Sequence, residues 1–163
     1  MIDIISIGRP ATQPAAGEVH VALALKPYGK PRPIVERGRA RMPDAYNAWR
    51  TQARWHFGRL PGWDVAKAHE PVELSADLYC QRPQRRPKHV DPALWKSGLH
   101  YLATKTPDRD NAVGAIMDAL NGVAWHDDCQ VQLGRVYMWV CAEGGQPRCE
   151  ITLRRLGLHG GPA

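Results

Sequence analysis

Three aspartates have the spacing of a site for a divalent cation. Asp108 and Asp110 are two positions apart and precede a stretch with helical periodicity. Because alternate side chains of an extended turn point the same way, both carboxylates can converge on one hard cation. Mg²⁺ prefers a few carboxylates together with water and phosphate oxygens. Asp128 follows that helix, just before a strand, and a helix running out and a strand starting back can bring it close to the helix start.

Each acidic residue of this segment also has a structural interpretation. Asp108 or Asp110 can cap the helix, where a carboxylate is favoured in any case. Asp118 can face the site or simply keep the helix soluble, and Asp127 and Asp128 can be ordinary turn residues. Taken singly, these residues leave a catalytic and a structural role open.

The elements that must position the aspartates follow the order β-α-β-α-β-β. Alternating apolar spacing predicts strands over 18–26, 72–80, 130–141 and 149–156. Helical spacing predicts one helix from a cap at Asp44 to about residue 60, with Ala45, Trp49, Ala53 and Phe57 or His56 on its apolar face, and a second from Asp108 or Asp110 to Asn121-Gly122. This order predicts a single α+β domain with its helices packed on one mixed sheet.

The domain is expected to span 18–156. An N-terminal extension or edge strand over 1–17 precedes it, and a flexible tail over 157–163 follows it. Residues 81–107 are predicted to form a long structureless loop, and loops of that length in compact domains are usually functional or mobile. Trp95 lies in this basic loop and is a candidate for stacking on unpaired bases.

The charge distribution points to a polyanionic partner. The net charge is +6, and the segments 26–41 and 81–105 each hold six basic residues and one acidic residue. The segment 106–128, which follows the second of them directly, holds five acidic residues and one basic residue. Basic arms neutralise phosphates, while a carboxylate cluster repels them unless a cation lies between. This pattern is typical of a nuclease, and solvated loops of the same composition are the alternative.

Composition excludes several other classes of protein. An apolar content of 44% in 163 residues fits one folded domain with one core. No apolar run is long enough to span a membrane, and residues 1–8 lack the layout of a signal peptide, so a cytoplasmic protein is expected. The four cysteines form no C-x-x-C pair and are expected to be buried free thiols; a metal site of Cys141, Cys149 and His159 is the alternative.

Three linked motifs connect the acidic segment to a known family. The chain has Pro107-Asp108-Arg109-Asp110-Asn111, then Met117-Asp118-Ala119-Leu120-Asn121-Gly122, then Asp127-Asp128-Cys129-Gln130-Val131. They resemble the motifs K-P-D-x-D-N, L-D-A-L-N-G and D-D-x-Q-V of the RusA-like Holliday junction resolvases. The early segment Lys30-Pro31-Arg32-Pro33 is similar to that family's basic loop after the first strand. The resemblance covers roughly residues 18–156, and 107–131 is its specific part.

The resemblance implies a crossover junction endodeoxyribonuclease that acts in DNA recombination and repair, a kind of enzyme that suits a phage or prophage. Asp108, Asp110 and Asp128 match the family's catalytic carboxylates and would hold Mg²⁺, with Mn²⁺ as an alternative; Asp127 is a further candidate ligand. The family works as a homodimer that cuts two strands of a four-way junction symmetrically. The basic segments supply the candidate DNA-binding residues Lys30, Arg32, Arg82, Arg85, Arg86, Lys88, Lys96, Lys105 and Arg109.

One position departs from the family pattern. Family members often have a catalytic lysine four residues after the second aspartate of the D-x-D pair, where this chain has Gly114. Arg109, Lys105 and Lys96 are candidates for the missing charge, although none has the same register. Two alternatives therefore stay open: a junction-binding module with weak or no catalysis, and a small phosphoryl-transfer enzyme that uses the D-x-D pair. Against the second, no G-x-x-x-x-G-K phosphate loop is present.

Overall fold

The computed structural model describes residues 17–59, 63–67, 69–104 and 108–157. Its strands are β1 (Glu18–Leu23), β2 (Ile34–Glu36), β3 (Arg39–Arg41), β4 (Val72–Cys80), β5 (Tyr101–Leu102), β6 (Val131–Val140) and β7 (Arg148–Arg155). Its helices are α1 (Asp44–Phe57), α2 (Pro92–Lys96) and α3 (Arg109–Leu120), and a 3₁₀ turn over Asp128–Gln130 precedes β6. None of the helices in these ranges is long and apolar enough to cross a lipid bilayer.

The predicted α+β class and the β-α-β-α-β-β order of the main elements are confirmed. The predicted edge strand near the N-terminus and all but the first residue of the predicted tail lie outside the described residues. The structure adds a short hairpin of β2 and β3 after the first strand, and two small elements, α2 and β5, before α3.

Five strands form one mixed sheet in the order β1-β7-β4-β6-β5. β4 and β6 are parallel, whereas the other neighbouring strands are antiparallel. A parallel pair needs a long crossover connection, and α3 lies in the crossover from β4 to β6. β5 pairs with β6 only at Trp139 and Val140, so in the described part of the chain the earlier half of β6 is an open sheet edge.

The core lies between the helices and one face of this sheet. Val72, Leu74 and Leu78 alternate along β4 and are at most 1% exposed, as the alternation of a strand predicts. Ala119 and Leu120 of α3 are 0% exposed against that face. Burial of a large apolar side chain contributes about 1.5–3 kcal/mol, so α3 is held firmly on the sheet.

α1 differs from its predicted form at both ends. The prediction of Asp44 as N-cap is wrong, because the helix starts at Asp44 itself and Pro43 occupies the cap position without a side-chain hydrogen bond. The helix ends at Phe57 rather than near residue 60. Its buried face contains Tyr46, Ala53 and Phe57, while Ala45, predicted to be on that face, is exposed. A tyrosine therefore leads the buried stripe, with its hydroxyl directed to a polar partner.

The prediction of a structureless loop over 81–107 is wrong for its described part. Asp91 caps α2 by accepting hydrogen bonds from the backbone N–H groups of Ala93 and Leu94, at 2.8 and 3.0 Å. Val90, Tyr101 and Val140 form a second, small apolar cluster beneath it. The segment is ordered because it carries its own cap and its own core, which its loop-like composition conceals.

Gly134 of β6 lies directly against side chains of β4. The register of the two strands shifts between Leu74 and Ala76, and the Ser75 hydroxyl accepts a hydrogen bond of 3.1 Å from the backbone N–H of Arg135. A Cβ at Gly134 would lie 2.3 Å from Ser75 Oγ. The bulge therefore leaves no room for a side chain at this position.

Candidate active site

Asp108 and Asp110 lie at the N-terminal end of α3, and neither carboxylate caps the helix. Asp108 occupies the N-cap position with φ −63° and ψ 133°, yet its side chain makes no capping hydrogen bond. The side chain of Asp110 is 93% exposed, and Arg109 Nε lies 3.8 Å from its Oδ1. The unpaired backbone N–H groups of a helix start favour negative charge there. Both carboxylates are therefore exposed to solvent at a helix start, where negative charge is favoured.

Asp128 is fixed by two donors at its Oδ1 atom. The indole N–H of Trp125 donates to it at 3.0 Å, and the side-chain amide of Asn121 at 3.3 Å. Trp125 is 0% exposed, so this partner cannot move without disturbing the core. Both bonds reach Oδ1, which leaves Oδ2 for a cation.

Asp127, the less certain candidate, shapes the turn that holds Asp128. Its carboxylate accepts a 2.8 Å hydrogen bond from the backbone N–H of Cys129, which lowers the pKa of Asp127. Gln130 completes a capping box, because its side-chain oxygen accepts from the backbone N–H of Asp127 at 3.1 Å. Gln130 also donates to the Lys67 and Glu70 carbonyls. Asp127 thus has a structural role in this chain, as the cap of the 3₁₀ turn.

α3 separates the first two aspartates from the third. The helix has 12 residues and, at 1.5 Å per residue, is about 18 Å long. Asp108 and Asp110 lie at its start, whereas Asp128 is bonded to Asn121 at its end. Within the described ranges, no three His, Cys, Asp or Glu side chains are close enough to hold a metal ion. The described residues of the chain therefore present the predicted metal ligands as two separate groups.

The outer side of α3 and the open edge of β6 enclose a groove of about 450 Å³. Its walls are formed by Arg109, Asp110, Val113, Gly114 and Met117 of α3 and by Leu133, Gly134 and Val136 of β6. Leu133, on the part of β6 that forms the open sheet edge, is 58% exposed. This α3–β6 groove begins at the carboxylate end of the helix and is apolar along the rest of its length.

Lys30 brings a positive charge onto the surface of α3. Its backbone N–H donates to the Asn111 carbonyl at 2.9 Å, which joins the basic loop to the helix start. Its ammonium lies 3.0 Å from the Asp118 carboxylate, which also accepts a hydrogen bond from the Tyr46 hydroxyl. A Cβ at Gly114 would lie 3.5 Å from Lys30 Cδ. The lysine stem thus crosses the helix at the glycine, one turn after the D-x-D pair.

Tyr46 and Asp118 form the fixed side of this contact. Burial, together with the hydrogen bond and the negative charge of Asp118, raises the pKa of the Tyr46 hydroxyl. The hydroxyl therefore stays protonated and acts as a donor. The sequence left two roles for Asp118, facing the site or keeping the helix soluble. In the structure its carboxylate contacts Tyr46 and Lys30.

Two of the candidate DNA-binding arginines also hold the chain together. Arg82 donates to the carbonyls of Leu99, Cys141 and Trp95 at 2.8–3.3 Å, and its guanidinium lies 4.1 Å above the Trp95 ring. Arg86 donates to the Val90 carbonyl. Arg82 is therefore committed to the folded loop, and it covers one face of Trp95, the residue predicted to stack on bases.

The other described candidates remain available for phosphates. Arg32, Arg85, Lys88, Lys96 and Arg109 are exposed, and Lys105 lies outside the described residues. The β2–β3 hairpin adds an exposed arm with three further arginines, at 37, 39 and 41, around a turn in which Arg37 and Gly38 have φ of 50° and 74°. The hairpin and the 82–96 segment are two basic projections.

Sequence reasoning missed the groups that orient Asp128. Asn121 is part of the second motif, but only as a helix stop, and Trp125 only as a neighbour of the turn. Arg54 of α1 donates to the Asn121 carbonyl at 2.7 Å, which fixes the residue that in turn holds Asp128. The motif N-G-V-A-W-H-D-D contains both Asn121 and Trp125. The indole N–H three residues before Asp128 could therefore have been predicted as a donor to its carboxylate.

The alternative metal site in the cysteines lacks support in the described residues. Cys141 and Cys149 are buried, and His159 lies outside those residues. Burial raises the pKa of all three buried thiols, to about 11 for Cys80. The expectation of buried thiols holds for Cys80, Cys141 and Cys149, while Cys129 is exposed.

Comparison with known proteins gives one family match. A family model described as Endodeoxyribonuclease RusA matches residues 24–154, from the end of β1 into β7, which is most of the 163-residue chain. No curated protein matches the chain.

Proposed function

The chain belongs to the endodeoxyribonuclease RusA family, and on that premise we propose that it is a divalent-metal-dependent nuclease that resolves four-way DNA junctions by paired phosphodiester hydrolysis. The observation that carries the proposal is the start of α3, where the D-x-D carboxylates stay out of helix capping and face solvent. We propose a nuclease domain over 18–156, which contains every strand of the main sheet.

The donor set fits Mg²⁺, with Mn²⁺ as an alternative. Carboxylate oxygens are hard ligands, and Mg²⁺ takes one or two of them together with water and substrate phosphates. Asp108 and Asp110 would hold the ion, and Asp128, at the other end of α3, offers Oδ2 as a further oxygen ligand. When bound, such an ion lowers the pKa of a water molecule and polarises the phosphate.

The residues around the carboxylates have separate tasks. Trp125 and Asn121 hold Asp128 in one orientation, so no reorganisation is needed when substrate arrives. Arg109, which lies 3.8 Å from Asp110, and Lys30, whose stem lies over Gly114, would supply positive charge for the phosphate undergoing attack. Hydrolysis would displace the 3′ oxygen in line and leave a 5′ phosphate.

The basic projections would bind the arms of the junction. Arg85, Lys88 and Lys96 are exposed on one of them, and the β2–β3 hairpin forms the other. Contacts to phosphates carry no sequence information, so these surfaces would recognise the branched shape rather than a base sequence. Their contribution should weaken as salt rises.

We further propose that the protein acts as a homodimer. The exposed Leu133 and the half-buried Met117 and Val136 of the α3–β6 groove support this, because apolar side chains beside an open sheet edge are typical of an interface. A two-fold dimer would carry two equal sites, as paired cuts in opposite strands require.

A binding module without catalysis is the second candidate function. Gly114 favours it, because the position lacks the lysine that the family often has there. The position of the Lys30 stem over Gly114 favours the enzyme instead, since the charge reaches the same helix surface from another element.

Cleavage of a labelled synthetic four-way junction in Mg²⁺ tests the function. The wild type should introduce paired symmetric nicks, and Asp110→Asn should bind the junction without cutting it. A linear duplex and a reaction with chelator are the controls. Tight binding without cutting by the wild type would favour the binding module. A wild type that neither binds nor cuts the junction would refute both candidate functions.

A further inference from the structure

Trp55, in the last turn of α1, is a tryptophan that the fold leaves exposed. It is 56% exposed, whereas the chain's other five tryptophans are buried or half-buried. Ala53 and Phe57 face the core, and Trp55, two positions from each, is turned about 200° away from them. Single exposed apolar side chains are common on proteins, so the neighbours of Trp55 decide whether it has a role.

An arginine and a histidine lie against the Trp55 ring. Arg59 Cζ is 3.8 Å from the ring centroid, over one face, and the His56 ring is 5.0 Å away at an angle of 89°. A guanidinium is attracted by the π electrons of an indole, so the contact holds the ring in one orientation. Arg59 forms no ion pair with an acidic side chain of the described residues. Its charge is therefore available to an anion beside an exposed aromatic ring.

The end of α1 is basic as well as aromatic. Residues 50–59 contain three arginines and one histidine and no acidic residue. The helix dipole favours the cations of the last turn, Arg54 and His56, but it explains neither Arg59, which follows the helix, nor the exposed indole. We call Arg54, Trp55 and Arg59 the α1-end surface; it lies outside both basic segments, 26–41 and 81–105.

Arg54 connects this surface to Asp128. Its guanidinium donates to the Asn121 carbonyl at 2.7 Å, and the Asn121 side-chain amide donates to Asp128 at 3.3 Å. A Cβ at Gly122 would lie 3.7 Å from Arg54 Nη2, so the guanidinium rests on the turn that follows α3. The α1-end surface is therefore continuous with the Asp128 carboxylate, at the end of α3 opposite to the D-x-D pair.

A DNA strand has the chemistry that matches this surface. Its phosphates pair with arginines, and its bases present flat faces that stack on aromatic side chains. A second copy of the chain matches less well, because a two-fold contact would place the same patch of each subunit against the other. Such a contact would bring like charges together, and that is unfavourable.

We propose that Trp55 stacks on an unpaired base of the branched DNA substrate, while Arg54 and Arg59 bind the flanking phosphates. The proposal deepens the proposed nuclease function and rests on it. In a continuous duplex both faces of a base are covered by its neighbours, and taking the base out of the stack costs energy. At a branch point bases are more easily unstacked. The α1-end surface therefore favours branched and single-stranded DNA over linear duplex.

Binding of a dye-labelled oligothymidylate without metal tests the stacking. Trp55→Ala should weaken binding about tenfold, the effect of losing one stacked base, whereas Trp55→Phe keeps a ring and should stay within about threefold of the wild type. Tyr137→Ala is the matched control. Tyr137 is 42% exposed and also has an arginine over its ring, at 5.3 Å, but lies on β6. Its affinity should equal that of the wild type.

Salt dependence separates the indole from the charge. Arg59→Ala should reduce the slope of log K against log salt by about 0.7 in magnitude, the value for one phosphate of a single strand. Trp55→Ala should weaken binding at every salt concentration without changing the slope, because an indole releases no counterion. An equal loss of slope in both variants would show that Trp55 only positions Arg59 and would overturn the stacking.

A photocrosslink gives a readout that depends on neither cutting nor affinity. An oligonucleotide carrying 5-iodouracil, irradiated with long-wavelength ultraviolet light, should form an adduct on the peptide that contains Trp55, identified by mass spectrometry. Trp55→Leu should lose this adduct and keep the wild-type urea midpoint, because the side chain is exposed. Absence of an adduct on this peptide in the wild type would overturn the proposal.

The remaining outcomes distinguish this proposal from the nuclease function. A wild type that cuts junctions, beside a Trp55→Ala variant that binds oligothymidylate equally well, would overturn the α1-end surface alone. Trp55-dependent binding by a wild type that cuts no junction would support the surface and contradict the nuclease. Sedimentation should give the same mass for wild type and Trp55→Ala. A loss of mass in the variant would make the surface a subunit interface and overturn the proposal.

Discussion

At the level of single side chains, a lysine from the basic loop, Lys30, lies on the first turns of α3. The Lys30 stem lies on Gly114, and its ammonium rests on Asp118, one turn farther along the helix. Lysine has a flexible four-carbon stem and a compact charge. Rotation of the stem can therefore move the ammonium from Asp118 toward a phosphate held at Asp110, while the backbone stays bonded to Asn111.

Lys30→Met should separate this charge from the packing of the stem. Methionine retains an unbranched apolar side chain over Gly114 but removes the ammonium. We expect the single-turnover cleavage rate at saturating junction to fall about 100-fold, the usual loss when one stabilising group is removed from a transition state. Junction affinity should change little, because the Lys30 ammonium is already paired with Asp118 in the free protein.

Two comparison variants make the Lys30 result specific. Lys88→Met removes an exposed charge of the same kind and should weaken binding without lowering the rate at saturation. Lys30→Met with Gly114→Lys places a lysine on the helix itself and should recover part of the lost rate. A Lys30→Met enzyme as fast as the wild type would show that the ion pair with Asp118 only holds the loop to α3.

At the level of elements, the 82–96 segment shows that basic residues of one loop can do different work. Arg82 bonds three carbonyls and covers Trp95, whereas Arg85 is exposed. Hydrogen bonds from a charged donor stabilise more than neutral ones. The first arginine therefore belongs to the fold, and the second is available to DNA.

Arg82→Ala and Arg85→Ala should have opposite profiles. Arg82→Ala should lower the free energy of unfolding by about 2 kcal/mol, because three carbonyls lose a charged donor. Arg85→Ala should leave that free energy within about 0.5 kcal/mol, as is usual for surface changes, and weaken junction binding. Urea unfolding and a binding titration measure the two effects. Equal stabilities would refute the structural role of Arg82.

The same elements show what the sequence could and could not predict. β4 was predictable to the residue because its apolar side chains alternate without exception, and α3 because its motif ends in a strong helix stop. The 81–104 segment was not, since α2 and β5 are short and depend on a cluster with Val140 that is distant in sequence. Asp128 was recognised as a residue, but its place at the far end of α3 depends on tertiary hydrogen bonds to Asn121 and Trp125.

At the level of the whole molecule, the net charge of +6 is concentrated on two projections. Both are exposed, and the acidic motif follows the second of them in sequence. Binding to DNA through phosphates releases counterions, so affinity falls steeply with salt. The slope of log K against log salt reports the number of phosphate contacts. It therefore measures how much of this basic surface contacts DNA.

Lys88→Met should reduce that steepness by one contact. The slope of log K against log salt for junction binding should shrink by about 0.9 in magnitude, the value for one phosphate on a duplex arm. Lys67→Met is a matched control, because Lys67 is exposed but lies outside both basic segments, and its slope should equal that of the wild type. An unchanged slope for Lys88→Met would exclude this projection from the DNA contact.

The close approach of β6 to β4 at Gly134 restricts how this protein can be redesigned. Ser75 Oγ would lie 2.3 Å from a Cβ at that position, so any substitution there would force the Ser75 hydroxyl away from the backbone N–H of Arg135. Leu133, which is 58% exposed, and Val136 carry no such restriction. Charge-swapped pairs meant to force two non-identical subunits together should be built at those two flanking positions, with the glycine left as a fixed point of the scaffold.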